Sequence, residues 1–253
     1  MILHNNNSNL SQDVLWLNVS PSLKRFDQPL LLYLAGQVKI ARWEYSQTQD
    51  EASSVMNAVT LLYDYLQERD RPVHLIGHGM GGIIGLIYAR LHPERVRSLT
   101  LLAVAAQPAV TWQAHYYVQR QLLPCSRLRL LVQMVRSLFG ERVPYPIKDL
   151  VTALDRDLGN SPSMHSLFKL VNLPTGGVSM PLMVCGCKTD PVVDPVSLAL
   201  WIPLLKQEDY LWEYPEGRHF FHFFHPQQVG EQILDFWQST SLLQINRYNA
   251  GFL

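Results

Sequence analysis

The chain has 253 residues, 47% of them hydrophobic and 17% charged. That excludes a disordered chain and allows a sizeable core in one large α/β domain or two small ones. Lysine plus arginine and aspartate plus glutamate are 21 each, so no net field recruits nucleic acid or an acidic surface. Cys125, Cys185 and Cys187 make no disulfide framework, which fits a reducing compartment. The opening "MILHNNNSNLSQDV" has no basic region ahead of an apolar stretch, and no apolar run reaches the roughly 18 residues of a membrane span. A soluble, cytoplasmic protein is the expectation.

In chain order, "DVLWLNVS" (13–20) and "PLLLYLAG" (29–36) read as strands, the second as a continuous apolar run buried on both faces. "VKIARWEYS" (38–46) reads as a further strand. Between about Asp50 and Glu68, Val55, Met56, Val59, Leu62, Tyr63 and Leu66 recur at helical spacing. "VHLIG" (73–77) is a strand, "GGIIGLIYARLH" (81–92) a buried helix and "SLTLLAVAA" (98–106) a strand. This alternation predicts a parallel sheet with right-handed crossovers.

Residues 107–175 break the pattern and hold no convincing strand. They read as helices, among them 126–139 and 145–158, and form an expected helical lid over 107–179. The core of 1–106 then resumes over 180–253: strand 181–187, helix 197–205, strand 209–215 and helix 226–240. The tail "INRYNAGFL" shows no role.

"LIGHGMGG" (75–82) has the layout of a nucleophile elbow, G-x-S-x-G, in which a strained strand-to-helix turn exposes a serine. Gly77 and Gly81 frame it, and Gly79 stands where the hydroxyl belongs. The stretch "VHLIGHGMGGIIGLIYARLHPERVRSLTLL", the turn "PLMVCGCKTDPVVDP" and the loop "YPEGRHFFHFFHP" together resemble the α/β-hydrolase family in its chain order of elbow, acid and histidine. The resemblance covers roughly residues 29–106 and 180–240. It implies an α/β fold with a mostly parallel sheet flanked by helices, and a dyad of His219 and Asp190. It also implies oxyanion donors at the backbone N–H groups of Met80 and Gln37, the latter after the Ala35–Gly36 turn.

Two features depart from the family. Gly79 supplies no nucleophile, so the Ser–His–Asp route to an acyl-enzyme is closed. "ARWEYSQTQDEASS" lacks the family's glycine turn, and Tyr45, Ser46 and Gln47 fall in its place, so the mouth is trimmed. Glycine also relaxes the strained elbow backbone.

Other residues carry blander expectations. His219, His222 and His225 lack the spacing of a zinc site, and neither a metal nor a cofactor is expected. Cys185 and Cys187 read as packing. Helix 126–139 carries Leu128, Leu131, Val132, Val135 and Leu138 on one face, with Arg127, Arg129 and Arg136 elsewhere. A lid helix folded on a core is favoured there over peripheral membrane contact. Trp112, Tyr116 and Tyr117 are candidates to line a pocket, and Phe220, Phe221, Phe223 and Phe224 read as core.

The functional expectation is a non-hydrolytic protein with a degenerate triad that binds a small apolar ligand or a protein partner. The alternative is a serine-independent enzyme, of hydrolase, lyase or cofactor-free oxygenase type, with the dyad as general base.

Overall fold

The computed structural model describes residues 14–47, 54–141, 143–166, 169–170 and 175–250. The strands are β1 (Val14–Asn18), β2 (Ile40–Glu44), β3 (Val73–His78), β4 (Val96–Leu102), β5 (His165–Ser166), β6 (Lys169–Leu170), β7 (Leu182–Cys187) and β8 (Tyr210–Tyr214). The helices are α1 (Gln28–Ala35), α2 (Val55–Gln67), α3 (Met80–Leu91), α4 (Trp112–Leu122), α5 (Arg127–Phe139), α6 (Ile147–Asn160), α7 (Pro195–Ala199), α8 (Phe221–Phe224) and α9 (Pro226–Ala250).

Six strands form one parallel sheet in the order β2-β1-β3-β4-β7-β8. The central strands are apolar nearly throughout because both their faces are covered: β1, β7 and all but the last residue of β3 are buried. One face packs on α2, α3 and the α4–α6 helices through Leu15, Leu75, Leu99 and Val184. The other packs on α1 and α9 through Trp16, Ile76, Met183 and Trp237. This is the α/β-hydrolase-like architecture of a mostly parallel sheet flanked by helices.

One expected strand is a helix. Residues 29–36 fall in α1, with Pro29 in its first turn and Gly36 after its end. Leu30, Leu31 and Leu34 are buried and Leu32 is exposed, the i, i+1, i+4 stripe of a helix packed on one side. A short apolar run does not itself distinguish strand from helix. The expected strand at 98–106 begins earlier and ends at Leu102, where Ala103 takes a positive φ of 51°. The expected helix at 197–205 is broken: α7 gives way to a 3-10 turn at Ile202–Leu204 that contains Pro203. The region 107–175 does hold strand, since β5 and β6 pair antiparallel as a two-residue hairpin. The predicted helix at 50–68 starts at Val55, and its residues 50–53, like Met1–Asp13, lie outside the described residues.

Candidate functional site

β3 runs directly into α3 through Gly79, which has φ 49° and ψ −120°. Ordinary residues rarely adopt that backbone, and glycine does so without a Cβ clash. The framing glycines answer a different need. A Cβ on Gly77 would stand 2.6 Å from the Gly81 carbonyl carbon, and one on Gly81 would run into the Leu17 carbonyl oxygen of β1. The turn is therefore packed backbone against backbone, whereas a Cβ at 79 would meet only His219 Nε2, at 3.9 Å.

His219 reaches this position from the far end of the sheet. After β8, Gly217 and Arg218 both have positive φ, 114° and 56°. The Arg218 N–H donates to Thr189 Oγ1 at 3.2 Å, tying this turn to the loop after β7. That loop carries Asp190, which is buried like His219. His219 Nδ1 lies 2.9 Å from Asp190 Oδ2, while Asp190 Oδ1 accepts the Val192 N–H at 2.8 Å. An ionised carboxylate only accepts, so Nδ1 carries the ring proton and Nε2 offers its lone pair toward residue 79.

The other candidates divide. Met80 is the first residue of α3 and is buried against the site. Gln37 is not at the site. Its N–H donates to the Leu34 carbonyl at 2.9 Å and closes the end of α1. Because 29–36 is helical, the strand beside β3 is β1, and the loop that leaves it is Val19–Ser20 rather than Gln37. Asn18, Val19 and Ser20 line a cavity of about 30 Å³ together with Met80, Trp112 and Phe220. That volume holds one or two waters. Trp112 thus lines a cavity beside the turn, one that Asp27 and His78 share and that His219 and Gly79 do not line. Tyr116 is buried but outside this lining, and Tyr117 is exposed, so neither lines this cavity. Of the residues standing for the missing glycine turn, Gln47 is buried and its N–H bonds the Asn160 carbonyl at 3.2 Å; residues 48–53 lie outside the described residues. A wider open cleft of about 670 Å³ lies outside the Gly217–Arg218 turn, among Arg136, Glu141, Thr189, Glu216, Arg218 and His225.

Sequence reasoning missed a second polar cluster behind the elbow. His222 Nε2 lies 3.1 Å from Asp27 Oδ1, and Asp27 Oδ2 accepts from Trp16 Nε1 and Asn18 Nδ2, both at 3.3 Å. His78 lies against His222 with the rings tilted at 44° and their centroids 4.5 Å apart, and its Nε2 lies 3.0 Å from the His219 carbonyl oxygen. Burial, with His222 and His219 alongside, holds His78 well below the usual imidazole range. His78 is therefore neutral and donates its Nε2–H to the His219 backbone. Asp27, His78 and His222 each bring one ligand atom to within 4.8 Å of the others. This trio shares only His222 with the rejected zinc grouping, and its carboxylate oxygens already accept hydrogen bonds. His115 on α4 is half-buried, and burial, then His219, lowers it.

A family profile for the alpha/beta hydrolase fold matches residues 67–226, well over half of the chain. A Nostoc protein described as uncharacterised is 56% identical over 230 residues, 91% of this chain and 92% of its own. A Synechocystis protein, also described as uncharacterised, is 42% identical over 89% of this chain and 90% of its own. The chain belongs to the α/β-hydrolase-fold family. Among solved structures, a Bacillus subtilis protein described as a putative hydrolase superposes with TM-score 0.69 at 14% identity, covering 90% of this chain and 84% of that one. Naproxen esterase from Bacillus subtilis superposes with TM-score 0.68 at 14% identity and the same coverage. At these identities the likeness is one of fold.

Proposed function

We propose that this chain is a non-hydrolytic α/β-hydrolase-fold protein with a degenerate triad, and that it works by binding. One observation carries the reading. The imidazole is oriented by Asp190 and faces position 79, and the residue there is a glycine. A serine hydrolase needs Oγ at that point to form the acyl-enzyme, and the best-placed base and helix N-terminus cannot replace it. The burial of both His219 and Asp190 weighs against a small apolar ligand at this site and in favour of a partner held on the surface.

A second reading has its own support. Nε2 points its lone pair at position 79, where no side chain fills the space, so the dyad has the geometry of a general base. The same experiment separates the two. Purified protein should give no labelling with a fluorophosphonate probe and no turnover of p-nitrophenyl esters, whereas Gly79→Ser should gain labelling at residue 79 that disappears when His219→Ala is added. Stoichiometric labelling of a serine in the unaltered protein overturns the non-hydrolytic reading. Ester turnover by the unaltered protein that is lost in His219→Ala would transfer the conclusion to the dyad.

A further inference from the structure

The helices between β4 and β7 leave one surface unexplained. The apolar stripe of α5 is not free: Leu130, Leu131, Met134, Val135 and Leu138 are buried in the core. Leu128, expected on that stripe, is instead 62% exposed at the start of α5. It sits close in sequence to the end of α4, where Leu122 is 74% exposed and Tyr117, Val118 and Leu123 are exposed as well. The two helices pack together, and the turn 123–126 joins them, so Leu122, Leu123 and Leu128 lie at one end of a helical hairpin, with Tyr117 and Val118 further back along α4.

The hairpin itself carries charge of one sign only. No aspartate or glutamate occurs between Glu94 and Glu141, although the whole chain is neutral. Arg120, whose Nη1 donates to the Cys125 carbonyl of the turn at 3.3 Å, and Arg129 flank the exposed leucines. Arg127 also lies there but is paired with Asp155 of α6 at 2.7 Å. Exposed leucines ringed by arginine, with no carboxylate on the same hairpin, have the chemistry of a segment that lies in a membrane interface. Scattered single exposed apolar residues would need no explanation, but a cluster at one tip does. The exposed leucines sit at the ends of two helices, and a bilayer accepts such side chains without a matching groove. No described helix is long and apolar enough to cross a membrane, so the contact is peripheral.

We infer that the α4–α5 tip docks on an anionic lipid surface, with Leu122, Leu123 and Leu128 entering the headgroup region and Arg120 and Arg129 facing the phosphates. This goes beyond the proposed function and does not depend on the state of position 79. The test is co-sedimentation of the full chain with phosphatidylcholine vesicles, with and without phosphatidylglycerol. Binding should favour the phosphatidylglycerol vesicles and weaken as salt is raised. Arg120→Gln and Arg129→Gln should each lower partitioning onto them by roughly fivefold. Leu122→Asp with Leu128→Asp should abolish it, and Leu61→Asp, on an exposed leucine of α2, should not. All these positions are exposed, and circular-dichroism melts of each variant check the fold. No binding to phosphatidylglycerol vesicles overturns the proposal, as does binding that survives the paired Leu→Asp change. Self-association of the unaltered protein that the same pair abolishes, without lipid binding, would make the tip a contact between copies and equally overturn it.

Discussion

At the scale of single residues, the three glycines of the elbow differ in why they are glycine, and that difference can be measured. Gly79 has open space around its missing side chain and a positive φ. Substituting serine there costs backbone strain alone, on the order of 1–3 kcal/mol. Gly81 sits in α3 without a positive φ, but an added Cβ meets the Leu17 carbonyl, which is main chain of a central strand and cannot swing aside. Gly81→Ala should therefore destabilise more than Gly79→Ser in urea unfolding, against the intuition that the smaller substituent is milder. Equal losses would mean that β1 and α3 separate freely. The strand, glycine turn and helix at 73–91 are legible in sequence because their signals are contiguous, whereas the reason for Gly81 lies in the Leu17 carbonyl of β1. The Asp190 turn and the His219 loop are likewise short local patterns, and the structure brings the two side chains to 2.9 Å.

At the scale of elements, what was not legible is what joins distant segments. Asp27 and His222 are 195 residues apart, and neither flanking sequence hints at the other. The reading of 29–36 as a strand has a local cause, since its run of leucines satisfies either period, and it displaced the expected second oxyanion donor to Gln37. Asp157 on α6 illustrates the same limit. Fully buried, it accepts from Ser161 Oγ at 2.6 Å, from Gln113 Nε2 of α4 at 3.1 Å and from Ser22 Oγ at 3.4 Å. One carboxylate thus fastens α6 to α4 and to the chain between β1 and α1. Burial pushes its pKa up from 3.8 to about 6, against the hydrogen bonds that favour the anion. A carboxyl raised on folding stabilises below its unfolded value and loses that contribution as pH rises to about 6. At 1.36 kcal/mol per pH unit the swing is about 3 kcal/mol. Asp157→Asn should therefore gain stability relative to the unaltered protein by up to this amount between pH 4 and pH 7, measured by urea unfolding at both. A difference between the two proteins that stays constant across that range would show that the carboxylate is solvated or paired when folded.

At the scale of the whole molecule, buried histidines set the acid limit of the fold. His74 lies near the start of β3, with Nδ1 2.7 Å from Ser98 Oγ on β4 and its ring near Trp237 of α9. Burial first, and Arg97 second, push it down from 6.5 to about 3. A histidine lowered on folding contributes stability that is complete above its unfolded pKa and is lost as pH falls toward the folded value. His74 therefore destabilises the sheet by about 1.4 kcal/mol for each pH unit below 6.5, and His78 and His115, also lowered, act in the same sense. From about pH 6 down to about 3.8 Asp157 opposes them with one equivalent of its own. Global stability should accordingly be flat from pH 8 to 6.5, fall below 6.5, fall less steeply between about 6 and 4, and steepen again below that. His74→Asn keeps a polar partner for Ser98 but cannot take up the proton. It should lower stability at pH 8 and reduce the slope below 6.5 by about one proton, so that the two curves converge on acidification. Curves from urea midpoints at half-unit intervals that ran parallel down to pH 4 would mean that His74 gains its proton without unfolding the sheet.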